Sequence, residues 1–112
     1  MPPELPSEFE QQVLLAILRL DGDAYGASVA RELEEQLDRQ VSQGAVYTTL
    51  VRLEKKGLVD SRMSDPTPVR GGKAKRVFTL TAPGVRGLES TRRAMNRLWD
   101  GLRDPGTEGA TG

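Results

Sequence analysis

The sequence predicts a mainly α-helical domain with one small β-hairpin, an α+β fold. Three observations predict it. Apolar residues recur at three- and four-residue intervals in four stretches, each opened by a helix-entry signal. Two short β-prone runs, residues 58–63 and 76–80, flank a segment broken by Pro66, Pro68, Gly71 and Gly72. At 112 residues the chain has room for one modest core and not for two.

Taken in order, residues 1–6 contain three prolines and read as a flexible arm. Ser7 and Glu10 form a capping box, in which each side chain satisfies a backbone N–H of the other. The first helix then runs to about Leu20, with Val13, Leu14, Ile17 and Leu18 as its inward stripe. Asp21, Gly22 and Asp23 stop it. A second helix, from Ala27 to about Leu37, turns Val29, Ala30, Leu33 and Leu37 inward and an acidic face to water.

The third helix is read in residues 41–57 and organises the rest. Ser42 is its N-cap and Gly57 the residue that ends it. Val46, Leu50 and Leu53 share one face. Gly44, Thr48, Arg52 and Lys55 fall opposite, small and polar at the start and cationic toward the end. Two helices joined by a tight turn, the second with such an N-terminal half, form a helix-turn-helix pattern suited to the DNA major groove.

The hairpin follows, with Arg70, Lys73, Lys75 and Arg76 around its Gly-Gly tip and no acid among them. That composition suits a phosphate-contacting wing. Thr81 caps the last helix, expected to run from residue 82 to about 103. Leu88, Met95 and Leu102 repeat every seven residues, with Thr91 and Leu98 at the alternate position. This predicts a coiled-coil-like seam for a second subunit, a dimerisation helix. Residues 104–112 are Gly-rich and read as a disordered tail. The expected division is therefore an arm (1–6), a winged helix-turn-helix domain (7–81), a dimerisation helix (82–103) and a tail (104–112).

Charge sharpens the reading. The formal net charge is zero, yet residues 43–76 carry a net +5 and residues 21–42 a net −4. The cations are concentrated where phosphates are expected. The chain has no histidine and no cysteine, so it lacks the commonest general base, the commonest zinc ligand and any thiolate. With no phosphate-binding glycine loop either, an enzyme is not expected, nor a cofactor or metal site. No apolar run approaches a membrane span, and a cytoplasmic location is expected.

The pattern Tyr25-Gly26, then Ser42-x-Gly44-x-Val46-Tyr47-x-x-Leu50-x-Arg52-Leu53-Glu54-x-x-Gly57-Leu58-Val59, then Gly71-Gly72-Lys73-x-Lys75-Arg76-Val77-Phe78-x-Leu80-Thr81-x-x-Gly84 resembles the PadR family of bacterial winged-helix transcriptional regulators. The likeness is to its short form, with a single C-terminal helix, and runs from Phe9 to about Leu102. It implies a homodimer on a pseudo-palindromic operator in double-stranded DNA, usually repressing. It implies that Tyr47, Arg52 and the wing cations approach DNA. Residues Ser42, Gln43, Gly44, Tyr47, Thr48, Arg52, Arg70, Lys73, Lys75 and Arg76 form the expected DNA-contacting set. Leu88, Met95, Leu98, Trp99 and Leu102 form the expected dimer and effector set.

Two departures from the family pattern bear on contacts. Thr48 stands where the family often has proline, and Val77-Phe78 replaces a frequent tyrosine pair. In some relatives a small aromatic effector stacks on a tryptophan of the last helix. That position falls on Met95 here, with Trp99 one turn further along. The competing reading is a winged-helix module that binds protein and not DNA. Zero net charge favours it and the clustered cations oppose it.

Overall fold

The computed structural model describes residues 5–65 and 73–102, so Arg70 and the hairpin tip lie outside the described residues. The elements follow the order α1 (Glu8–Leu20), α2 (Gly26–Leu37), α3 (Gln43–Lys55), β1 (Val59–Met63), β2 (Arg76–Leu80) and α4 (Ala82–Trp99). The fold is mainly helical with a two-stranded antiparallel hairpin: a winged helix-turn-helix followed by one further helix.

Local signals set the helix ends. At α1, Glu10 N–H donates to Ser7 Oγ (3.2 Å) and Ser7 N–H to Glu10 Oε1 (2.8 Å), the reciprocal capping box. At α3, Ala45 N–H donates to Ser42 Oγ (3.2 Å), and at α4, Gly84 N–H donates to Thr81 Oγ1 (3.1 Å). Helix α3 closes with paired bonds from Gly57 N–H to the Glu54 carbonyl and from Leu58 N–H to the Leu53 carbonyl, both 3.0 Å. Gly57 takes φ +77°, which a side chain would strain.

The core joins Val13, Leu14 and Ile17 of α1, Val29 and Leu33 of α2, and Val46, Leu50 and Leu53 of α3. Val59 and Phe78 of the hairpin close it. Phe78 is the largest fully buried side chain. Its backbone N–H donates to the Ala24 carbonyl (2.8 Å), so the α1–α2 connection joins the edge of β2. In the hairpin, Val59 pairs with Leu80 and Met63 with Arg76. The ladder extends through Ser64 N–H to the Lys75 carbonyl (2.7 Å), which carries order to the base of the wing.

The structure differs from the sequence reading at three places. Leu18 was expected inward but is 49% exposed, facing α4 alongside Leu15. Pro6, assigned to the arm, is buried and packs near Gly87 of α4. Helix α4 ends at Trp99 and not near residue 103. Asp100 leaves helical geometry and Gly101 adopts φ +81°, so Leu102 lies beyond the helix. Leu98 and Trp99 are exposed and give the last turn little packing to extend it.

The start of α4 is held against the end of α3. Thr81 N–H donates to the Leu58 carbonyl (3.0 Å), and Thr81 Oγ1 donates to the Gly57 carbonyl (2.6 Å). A Cβ on Gly84 would overlap the Leu58 carbonyl oxygen, whereas one on Gly87 would meet only Pro6 at 3.7 Å. Gly84→Ala is therefore expected to destabilise the fold by about 1–3 kcal/mol through overpacking. Gly87→Ala should stabilise it by roughly 0.5–1 kcal/mol, as for a helix-interior glycine. Urea unfolding of both variants checks the pair; equal midpoints would contradict the close approach at Gly84.

Candidate functional site

Helix α3 presents two distinct faces. Val46, Thr49, Leu50 and Leu53 are buried, which fixes the rotation of the helix. Ser42, Gln43, Gly44, Tyr47, Thr48 and Arg52 are all exposed. Tyr47 is 54% exposed, unusual for an aromatic side chain on a well-packed helix. A Cβ on Gly44 would make only ordinary contact with Ser42 Oγ at 3.5 Å, so the fold does not require glycine there. The absence of a side chain at Gly44 instead leaves the first turn open to close approach.

The wing is fastened at its base. Lys73, Lys75 and Arg76 are exposed. Lys75 Nζ lies 4.0 Å from the centroid of the Tyr25 ring, a cation–π contact with the residue preceding α2. Lys75 N–H also donates to Ser64 Oγ (2.9 Å). Arg76 Nη1 donates to Ser61 Oγ (3.0 Å), and Ser61 Oγ donates to Glu54 Oε2 (2.6 Å). The hydroxyl thus bridges a cation of β2 to a carboxylate of α3. Wing and third helix are joined by this relay as well as by the chain between them.

A third group connects α3 to α1. Glu10 is only 2% exposed. Its Oε2 accepts a bond from Lys56 Nζ (2.8 Å) and lies 4.0 Å from Arg52 Nη1. Burial pushes the Glu10 carboxyl up. The Lys56 ammonium and the Ser7 N–H outweigh burial and hold the group below the ordinary carboxylate value. Nothing in the spacing of Glu10 and Lys56, 46 residues apart, announces this pair. The sequence indicates only the local capping role of Glu10. Likewise, it places Tyr25 in a motif without indicating that Lys75 would lie over its ring.

The residues expected to form a seam divide into two groups. Leu88 packs against the core and Thr91 is buried, its hydroxyl donating to the Gly87 carbonyl (2.9 Å). That half of α4 rests on its own chain. Met95, Leu98, Trp99 and Leu102 are between 51% and 71% exposed. Between α1 and α4 runs an open groove of about 420 Å³, lined in part by Leu15, Leu18, Val85, Leu88 and Met95. Met95 lines this groove, whereas Trp99 projects beyond it. Among the described residues, no group of acidic side chains is placed to hold a metal ion, and no helix is long and apolar enough to cross a membrane.

An exposed helix with a small-residue start, a basic hairpin braced against it and a trailing helix define a winged helix-turn-helix protein of the regulator type. Comparison with known proteins gives the family. The chain belongs to the PadR-like family of transcriptional regulators, whose family model, "Transcriptional regulator PadR-like family", matches residues 14–90. It is 38% identical over 78 residues to the transcriptional regulator Rv3488 of Mycobacterium tuberculosis, covering 70% of this chain and 68% of that protein. Among solved structures, it resembles a PadR family transcription regulator from Clostridium difficile with 26% identity and a TM-score of 0.61, covering 82% of this chain and 95% of the other. It also resembles the PadR-like transcriptional regulator of Bacillus cereus, with 22% identity and a TM-score of 0.64 over 83% of this chain and 92% of the other. The family is one of regulators and not of enzymes.

Proposed function

We propose that the chain is a sequence-specific DNA-binding regulator that acts as a dimeric repressor on a pseudo-palindromic operator. The observation that carries this reading is the exposed face of α3, with Gly44, Tyr47, Thr48 and Arg52 outward and the opposite face locked in the core. Gly44 and Thr48 let the helix approach a groove closely, and Tyr47 and Arg52 supply the reach. Lys73, Lys75 and Arg76 supply sequence-independent attraction to phosphate, while the acidic surface of α2 stays away from it. The tubercular relative is a transcriptional regulator, which supports the same direction. Arg52→Ala is expected to cost about 1–3 kcal/mol on the selected operator and to relax preference at one base pair. Competition binding with operator and random duplexes measures this. An equal loss on both would confine Arg52 to phosphate contact.

The second copy and the effector belong to the same proposal. Met95, Leu98, Trp99 and Leu102 offer a projecting apolar surface that a second subunit would cover, and the α1–α4 groove extends it. An effector that binds one spacing of the two subunits better than another would shift DNA affinity by that difference. Met95 is flexible and polarisable enough to line such a pocket. Trp99, the single tryptophan, reports on both events. Its emission should shift to the red on dilution as subunits part. Planar aromatic compounds should quench it saturably at the concentrations that release operator. Emission independent of protein concentration would remove Trp99 from the interface, and quenching without release would leave a pocket with no switch.

A further inference from the structure

Glu10 does more than its local role requires. Capping α1 uses one carboxylate oxygen, Oε1, on the Ser7 N–H, and glutamine serves as well as glutamate at that position. The other oxygen is committed to α3. It binds Lys56 at 2.8 Å and attracts Arg52 from 4.0 Å. Arg52 and Lys56 are four residues apart on one helix, so their side chains emerge side by side. The carboxylate is shielded from water by the cations beside it, with Lys56 as its main charged partner. Both cations nevertheless keep an outer surface, with 51% of the Arg52 and 41% of the Lys56 side chain exposed. At 4.0 Å, the guanidinium lies within Coulombic reach of the carboxylate and makes no hydrogen bond to it.

We propose that Glu10 is a positioning residue for DNA reading: its buried carboxylate holds Lys56 back and pre-orients Arg52, so that the guanidinium fork meets a base edge already aimed. The proposal rests on the reading of α3 as the groove helix. A long side chain ordered before binding loses less freedom on binding, and a neutralised Lys56 contributes less to indiscriminate phosphate attraction. Glu10 therefore acts on discrimination, raising preference for the correct site while lowering affinity for random DNA. A group that acts only on fold stability changes affinity for the correct site and for random DNA by the same factor, and leaves the preference unchanged.

Glu10→Gln keeps the cap and removes the charge. Binding is measured for the wild-type chain, Glu10→Gln, Arg52→Ala and the double variant. The probes are the duplex that the wild-type chain enriches from a random pool, and the pool itself, each across a salt series. Glu10→Gln is expected to lower the ratio of enriched to pool affinity by about threefold or more. It should also raise pool affinity and steepen the salt slope by about one phosphate contact. In the Arg52→Ala background, Glu10→Gln should leave the ratio unchanged. The proposal is overturned if the ratio stays at its wild-type value or falls equally with and without Arg52. A wild-type chain that enriches no duplex, or binds independently of salt, overturns the groove-helix reading itself. Should Glu10→Gln fail to fold, relaxation of the Arg52 Nε–H in the free wild-type chain decides: a restricted guanidinium supports the proposal and a freely reorienting one contradicts it.

Discussion

The corner at Leu58 is the constraint on which the rest of the molecule depends. The last turn of α3 is closed there by the bond from the Leu58 N–H to the Leu53 carbonyl. The Leu58 carbonyl then accepts from Thr81, and the missing side chain of Gly84 lets the first turn of α4 lie against the same oxygen. Thr81 Oγ1 both caps α4 and donates to the Gly57 carbonyl. Four elements therefore begin or end within a few residues of one peptide group: α3, β1, β2 and α4. These bonds join neighbouring elements directly, so none leaves the corner without breaking a bond to another.

That coupling links the two surfaces proposed to meet DNA and a second subunit. The exposed face of α3 and the projecting half of α4 leave the same corner, and Leu88 and Thr91 hold the first half of α4 on the core. In the proposed dimer, a change in the spacing of two α4 helices would reach α3 through this corner. The electrostatics follow a similar economy. The chain is neutral as a whole, yet two carboxylates beside the cations are engaged: Glu10 with Lys56, and Glu54 with Ser61 and through it Arg76. Each orders a cation without covering it.

What the sequence reveals and what it withholds divide by range. The caps at Ser7, Ser42 and Thr81 and the stop at Gly57 are local chemistry, and the structure bears each one out. The buried stripe of α3 is legible for the same reason, since period alone places Val46, Leu50 and Leu53 together. Leu18 misleads because α1 has two apolar partners, the core on one side and α4 on the other, and periodicity does not say which is covered. The heptad through Leu88, Met95 and Leu102 likewise does not say which surface each member meets. Its first member rests on the core and its last lies beyond the helix, ended by the turn at Asp100 and Gly101. The contacts of Glu10 with Lys56 and of Lys75 with Tyr25 join residues far apart in the chain, and no spacing rule reaches them.

The central claim is that α3 enters the major groove twice, once from each subunit of a dimer. Methylation interference on the duplex enriched by the full chain tests it most directly, because guanine N7 faces the major groove and adenine N3 the minor. N7 methylation is expected to block binding in two clusters about one helical turn apart, roughly 34 Å, related by the symmetry of the site. A single cluster, or interference confined to the minor groove, would contradict it.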